Sequence, residues 1–393
     1  MISPRLVGVL GLLCSIGPAS IDLYLPAFAA IAAEFGLPPA AIHRTLGCYM
    51  LAYACILPLH GGLADSYGRR PVILVALGLY LAASLWCAGA SDFDSLLLGR
   101  MLQGAAAGAC SVVAPAMLQD CRANDASAST SAQRAMSALI LMLNLSPALA
   151  PVMGGYLTES LGWRANFVAL ASIAILALAL CRRHLPETLP AAARHPFNIR
   201  LLLRNYAGLA SQRRIMTLCL AGAWPVAGQG LIIGSAPDLL LHVLRWQTTD
   251  FGYLFMPMVA GAMVGALVAG RVGQQSVVLL AYGCMACGAT ALTVTGGDAP
   301  LTIILPLAAY VCGLAMATPP ITLRLLACAP HHCGTAASLS GVIQLLLFAL
   351  ASGWLAPLLG TRPIWLGMAL LTCSAMSALA WRVSDPNREA RGE

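Results

Sequence analysis

The feature that most constrains this chain is a succession of apolar stretches, each about as long as a bilayer is thick. A hydrocarbon core of ~30 Å takes about 20 residues of helix. Windows of that length lie at 6–30, 43–63, 71–90, 95–118, 134–158, 163–181, 214–236, 251–270, 276–296, 300–325, 335–358 and 363–383, twelve in all. Backbone groups in hydrocarbon must be satisfied within their own segment, so these windows predict helices. Composition closes the alternative of a soluble fold. Of the 393 residues 9% are charged and 59% hydrophobic, whereas a soluble domain carries about 25% charged residues. The expected class is an all-α membrane protein with twelve transmembrane helices, its partner the lipid bilayer.

The breaks between windows carry turn and charge signals, among them "DSYGRRP", "GASDFDS" and "TGGDAP". The longest break, 182–213, is rich in Arg and His. It divides the chain into an N-terminal six-helix bundle over 1–185, a linker over 186–210 and a C-terminal six-helix bundle over 211–393. All 22 basic residues are Arg, and 17 of them fall on alternate breaks; the others are Arg44, Arg100, Arg164, Arg245 and Arg362. By the positive-inside rule both termini are then cytoplasmic, as in a multi-pass protein of the cell inner membrane. The net charge of +7 is explained by this topology, and no nucleic acid is expected as a partner. The 14 Cys are scattered through apolar segments as small hydrophobes. The first apolar run is far longer than the 7–15 residues of a cleavable signal, so it reads as the first span.

The two halves echo each other. "LADSYGRRPVILVALG" (63–78) lines up with "VAGRVGQQSVVLLAYG" (268–283), with Gly68 and Gly78 matching Gly273 and Gly283. Two pseudo-symmetric bundles place a substrate path at their interface near the midplane.

Two charges inside the windows are costly. A carboxylate or guanidinium at mid-membrane costs roughly 2.5–3.5 kcal/mol on insertion scales, so few chains carry one without a use. Asp22 stands in "GPASIDLYLPAF", and Arg100 stands in the fourth window. Counted from Arg5 and Asp120 respectively, both reach a similar depth in the central to outer half. An ion pair between them would offset the desolvation of each. The pair reads either as a static structural bridge or as a proton-exchanging acid tuned by its Arg, because burial and a guanidinium pull a carboxyl's proton affinity in opposite directions. Gln103, one helical turn from Arg100, shares its face. Tyr24, Tyr49 and Tyr53, with Asn144 in the fifth window, Gln229 in the seventh and Gln344 in the eleventh, are further candidates to bind a small-molecule substrate, since a lipid-facing amide is costly. Asp238, at the outer end of the seventh window, reads as a solvated charge or as a second titrating site. "CAPHHC" (328–333) offers two Cys and two His, but adjacent ligands rarely close a tetrahedral site, and no metal is expected.

The stretch "GGLADSYGRRP" (61–71) resembles the loop between helices 2 and 3 of the major facilitator superfamily. Its Gly62, Asp65, Gly68, Arg69 and Arg70 match the signature, while Ser66 replaces a usual Arg. The resemblance implies conformational gating by these residues, with Arg122 available to pair with Asp65; Asp65 would also accept hydrogen bonds at a helix start. "LLLGRMLQGAAAGA" (96–109), "LNLSPALAPVMGGYL" (143–157) and "GTAASLSGVIQLLLFAL" (334–350) resemble the drug:proton antiporter branch, of the bicyclomycin and chloramphenicol resistance type. There Pro147, Pro151, Gly154 and Gly155 would bend and tightly pack the fifth helix, although Ala150 departs from the usual Gly. Kinked helices are common in membranes, so the same residues also read as an ordinary bent span. The resemblance implies the two-bundle major facilitator fold, alternating access, protons as coupling ions and export of small organic molecules such as drugs or a siderophore. The alternative is a proton-coupled importer on the same scaffold. No Lys occurs, so no phosphate-binding loop with Lys exists to use ATP. No enzymatic activity and no cofactor beyond the proton gradient are expected, and the expected state is a monomer.

Overall fold

A computed structural model describes residues 4–123, 129–194, 196–297, 299–330, 332–359 and 361–384. The side chains of Arg122 and Asn144, and His331 of "CAPHHC", lie outside the described part. All regular structure among the described residues is helical. The first half holds α1 (Pro4–Asp22), a 3₁₀ turn (Leu25–Ala27), α2 (Phe28–Glu34), α3 (Pro39–Tyr67), α4 (Arg69–Ala88), α5 (Phe93–Ala123), α6 (Ser129–Leu161) and α7 (Arg164–His184). The second holds α8 (Ile199–Ala210), α9 (Arg213–Asp238), α10 (Phe251–Ala269), α11 (Gln274–Thr295), α12 (Pro300–Cys328), α13 (Cys333–Leu350), α14 (Ala356–Leu359) and α15 (Pro363–Val383). Among the described residues, 11 segments are long and apolar enough to cross a membrane. The 33-residue α6 occupies the place of the expected fifth span.

The chain forms two compact units, residues 1–199 and 200–393. Within the first, α5 packs on α3, α4 and α1, while α1 also packs on α6 and α7, and α4 on α7. Within the second, α12 packs on α10, α11 and α9, while α9 also packs on α13 and α15, and α11 on α15. Each pairing in one unit has its counterpart in the other, in the same chain order. The single sequence echo at 63–78 and 268–283 is thus the visible part of a repeated packing scheme. Small residues let these helices close in: a Cβ on Gly104 of α5 would strike the Tyr49 carbonyl of α3, as expected where lipid leaves packing to drive helix association.

The stretch expected as a linker is tied down at both ends. Glu187 and Arg194 pack on the first unit. Tyr206 of α8 donates to Ser338 Oγ of α13 at 2.6 Å, within the second. Asp238 differs from a solvated helix end. It is 6% exposed and 3.5 Å from His242 Nδ1, because a π turn over Leu239–Val243 carries the helix on past it.

Candidate functional site

The first span is broken where its acid stands. Pro26 has no N–H to give to the carbonyl four residues back, and α1 ends at Asp22. Tyr24 N–H donates to Ile21 O at 3.2 Å instead of to Ser20 O. The Ser20 carbonyl is thereby freed, one of the carbonyls left without a partner at any helix C-terminus. Arg100, fully buried on α5, fills the vacancy: its Nη1 donates to Ser20 O at 3.2 Å and to Gln103 Oε1 at 2.5 Å. A cation at the negative end of a helix dipole is favourable. The guanidinium also lies over the rings of Tyr24 and Tyr49, 4.5 and 4.3 Å from their centroids. Charge-assisted hydrogen bonds contribute about 1.5–3 kcal/mol each, and a desolvated cation–π contact ~2 kcal/mol. Together they offset the burial of one charge.

A ring of hydrogen bonds fixes this cage. Gln103 Nε2 donates to Ser84 Oγ of α4 at 2.8 Å. The Tyr24 hydroxyl meets Thr45 Oγ1 at 2.7 Å. The Ser20 and Tyr80 hydroxyls share a short hydrogen bond. The Tyr49 hydroxyl donates to Gly17 O at 3.4 Å, and that of Tyr53 to Ser111 Oγ at 2.5 Å. Four of the seven coupling and binding candidates read from the sequence in this half (Arg100, Gln103, Tyr24 and Tyr49) therefore meet in one centre, with Tyr53 one turn along α3. Asp22 is 3% exposed, but among the described residues it makes no ion pair with Arg100. The expected bridge is corrected: the guanidinium is held by a main-chain carbonyl and two aromatic faces. Its Nε and Nη2 have no hydrogen-bond partner among the described residues.

The fifth span closes on this break. A Cβ on Gly154 of α6 would strike the Leu23 carbonyl, in the turn next to Asp22. Pro151 and Gly155 are buried, and Pro147 is half-buried. Between α1 and α6 lies an apolar cavity of about 320 Å³, lined by Ser15, Ala19, Leu23, Met142, Ser146 and Met153 among others. Gln229 and Gln344 stand in the second unit, on α9 and α13, both half-buried. Gln344 Nε2 donates to Ser340 Oγ at 3.0 Å.

At the far end of the first unit, α3 runs unbroken through Gly62 and Asp65 to Tyr67. Gly68, at φ +102°, turns the chain into α4. Asp65 pairs with Arg69 Nη1 at 2.5 Å, not with a helix start. The helix start is capped by a residue the sequence reading missed. Glu187 accepts from the backbone N–H of Arg69 at 3.0 Å and of Arg70 at 3.2 Å. Asp120 Oδ2 accepts from Arg69 Nε at 3.2 Å and from Thr188 Oγ1 at 2.8 Å. Arg70 Nη2 donates to the Arg182 carbonyl at the end of α7, at 2.8 Å. Nothing in the sequence near 65–70 points to Glu187, 118 residues away. The acidic side chain in "LPETL" was the available signal.

A family model described as Major Facilitator Superfamily matches residues 10–352. The chain is 25% identical over 397 residues to a bicyclomycin resistance protein homolog of Haemophilus influenzae, covering 98% of this chain and 97% of that one. It is 27% identical over 386 residues to multidrug resistance protein D of Escherichia coli, covering 96% and 95%. In fold it is similar to the crystal structure of a D-xylose–proton symporter, with a TM-score of 0.69 at 16% identity over 95% of each chain.

Proposed function

The chain belongs to the major facilitator superfamily and is a multi-pass membrane transporter of small molecules, and from that premise we propose that it is a proton-driven antiporter that exports small organic molecules from the cell. The observation that carries this reading is a buried acid at the break of the first helix, two residues beyond the Ser20 carbonyl that holds an arginine with two unsatisfied donors. The names of the relatives from Haemophilus influenzae and Escherichia coli support drug-like cargo and efflux. The fold alone leaves direction open, since it is shared with a symporter.

In the proposed cycle Asp22, when ionised, draws the free Nε and Nη2 of Arg100 toward itself. When protonated it releases the guanidinium to the Ser20 carbonyl and the Tyr24 and Tyr49 rings. The two positions of one side chain are the coupling element, and alternating access delivers Asp22 to each side in turn. Substrate uses the apolar cavity between α1 and α6, where Met142 and Met153 adapt to varied shapes. One proton moving down 100 mV gives ~2.3 kcal/mol, enough for roughly a fiftyfold gradient at one-to-one exchange. The proposed setting is the inner membrane with both termini cytoplasmic, as a monomer without a cofactor. The test is accumulation of a panel of labelled drugs in cells that express the chain, with and without an uncoupler. An exporter lowers accumulation until the uncoupler is added. A chain that raises accumulation is an importer, and the proposal fails.

A further inference from the structure

Helix α8, "IRLLLRNYAGLA", sorts its side chains into strips along its length. Tyr206 and Leu209 form the first strip. Leu209 packs with Ile215 at the start of α9, Leu325 near the end of α12 and Leu339 of α13, and Tyr206 closes on the same cluster. These contacts hold α8 against one end of the spans. Ile199 and Leu203, one turn apart, form the next strip and are 47% and 60% exposed. Arg200 and Arg204 follow, also one turn apart and exposed. At about 100° per residue, the order round the axis is therefore protein-facing, apolar, cationic. Leu201, beyond the arginines, is the large apolar side chain that falls outside this order. The helix carries no acid. Neither arginine is in an ion pair among the described residues.

A helix beside the ends of membrane spans meets the same order at the edge of a bilayer: protein, then hydrocarbon, then headgroups. Amphipathic helices lie in that interface with their apolar side at the acyl boundary and their cations among the headgroups. Acyl chains take Ile199 and Leu203 out of water. The two arginines, with Cβ atoms about 5–6 Å apart, then face phosphates, which guanidinium binds in forked pairs. We propose that α8 docks on the bilayer surface and holds a phospholipid of net negative charge through Arg200 and Arg204. A zwitterionic lipid also carries a phosphate, but its own cation opposes the two arginines. The site shares no residue with the Arg100 centre, so the proposal stands whichever way transport runs.

The test replaces Leu203 of the full chain by the photocrosslinker p-benzoylphenylalanine, in nanodiscs of equal parts phosphatidylglycerol and phosphatidylcholine. Intact-mass spectrometry reads which lipid becomes attached. Phosphatidylglycerol adducts should exceed phosphatidylcholine adducts about twentyfold, at about fivefold for each arginine near the surface. Arg200→Gln combined with Arg204→Gln should bring the ratio close to one while lipid adducts still form. Arg271→Gln, at an exposed arginine beyond α10, should leave the ratio unchanged. The unaltered chain gives a second readout: amide exchange over α8 should be severalfold slower in phosphatidylglycerol nanodiscs than in phosphatidylcholine ones. Equal capture of the two lipids with both arginines in place overturns the proposal. So does the absence of lipid adducts, exchange indifferent to lipid charge, or a crosslink in cell membranes to a protein instead of a lipid.

Discussion

Arg100 is the residue on which the first unit turns, and its chemistry is geometric as well as electrostatic. A planar guanidinium lies on two rings while its edge donates to an amide and a carbonyl; an ammonium offers the same charge without the plane. Arg100→Lys should therefore keep the protein in the membrane yet lower transport by on the order of tenfold, equivalent to about 1.4 kcal/mol. Initial rates in proteoliposomes under an imposed pH difference would check this, with unchanged rates counting against the cage. Much of this centre was legible in the sequence. Arg100 and Gln103 are one turn apart on a single helix, and helical periodicity alone predicts that they share a face. The Ser20 carbonyl was not legible, because a backbone oxygen carries no letter of its own. It is exposed because the Tyr24 N–H turns to Ile21 O where the helix ends, and it is then claimed by a residue 80 positions away.

At the scale of elements, two contacts tie distant helices of the first unit together. The first joins α6 to the break after α1, backbone to backbone at Gly154 and Leu23. Gly154→Leu should abolish transport while leaving expression and membrane insertion intact, because backbone atoms, unlike flexible side chains, cannot step aside. Retained transport would show that the two helices do not need to stay in contact. The second joins the segment after α7 to the start of α4 through Glu187. Glu187→Ala removes two caps and the acidic partner 3.8 Å from Arg194. It should lower stability by about 1–2 kcal/mol, read as a lower Tm of the purified chain in detergent. The sequence pointed to Asp65 for capping because "GGLADSYGRRP" places it just before a turn. The chain stays helical through Asp65, however, so its side chain has no free N–H in front of it. The long-range partner supplied by folding could not be read from local spacing.

At the scale of the molecule, the helix windows and the repeat were legible because hydrophobicity is written residue by residue, and the solvent, lipid, enforces it everywhere. The proposed coupling was less so, since it would depend on where two charges rest rather than on where they stand in the chain. If Asp22 is the proton carrier, Asp22→Asn should end pH-driven transport and leave substrate exchange across proteoliposomes, which needs no net proton movement, largely intact. Loss of exchange as well would make the acid a binding residue instead. The dependence of Arg100 on a main-chain acceptor has an evolutionary corollary. Side chains around the cavity are free to drift as cargo changes, but no codon change can delete a carbonyl. Lineages that diversify in what they carry would then keep the same berth for their arginine, and an inhibitor that occupied that berth would meet resistance only through mutations that straighten the first helix.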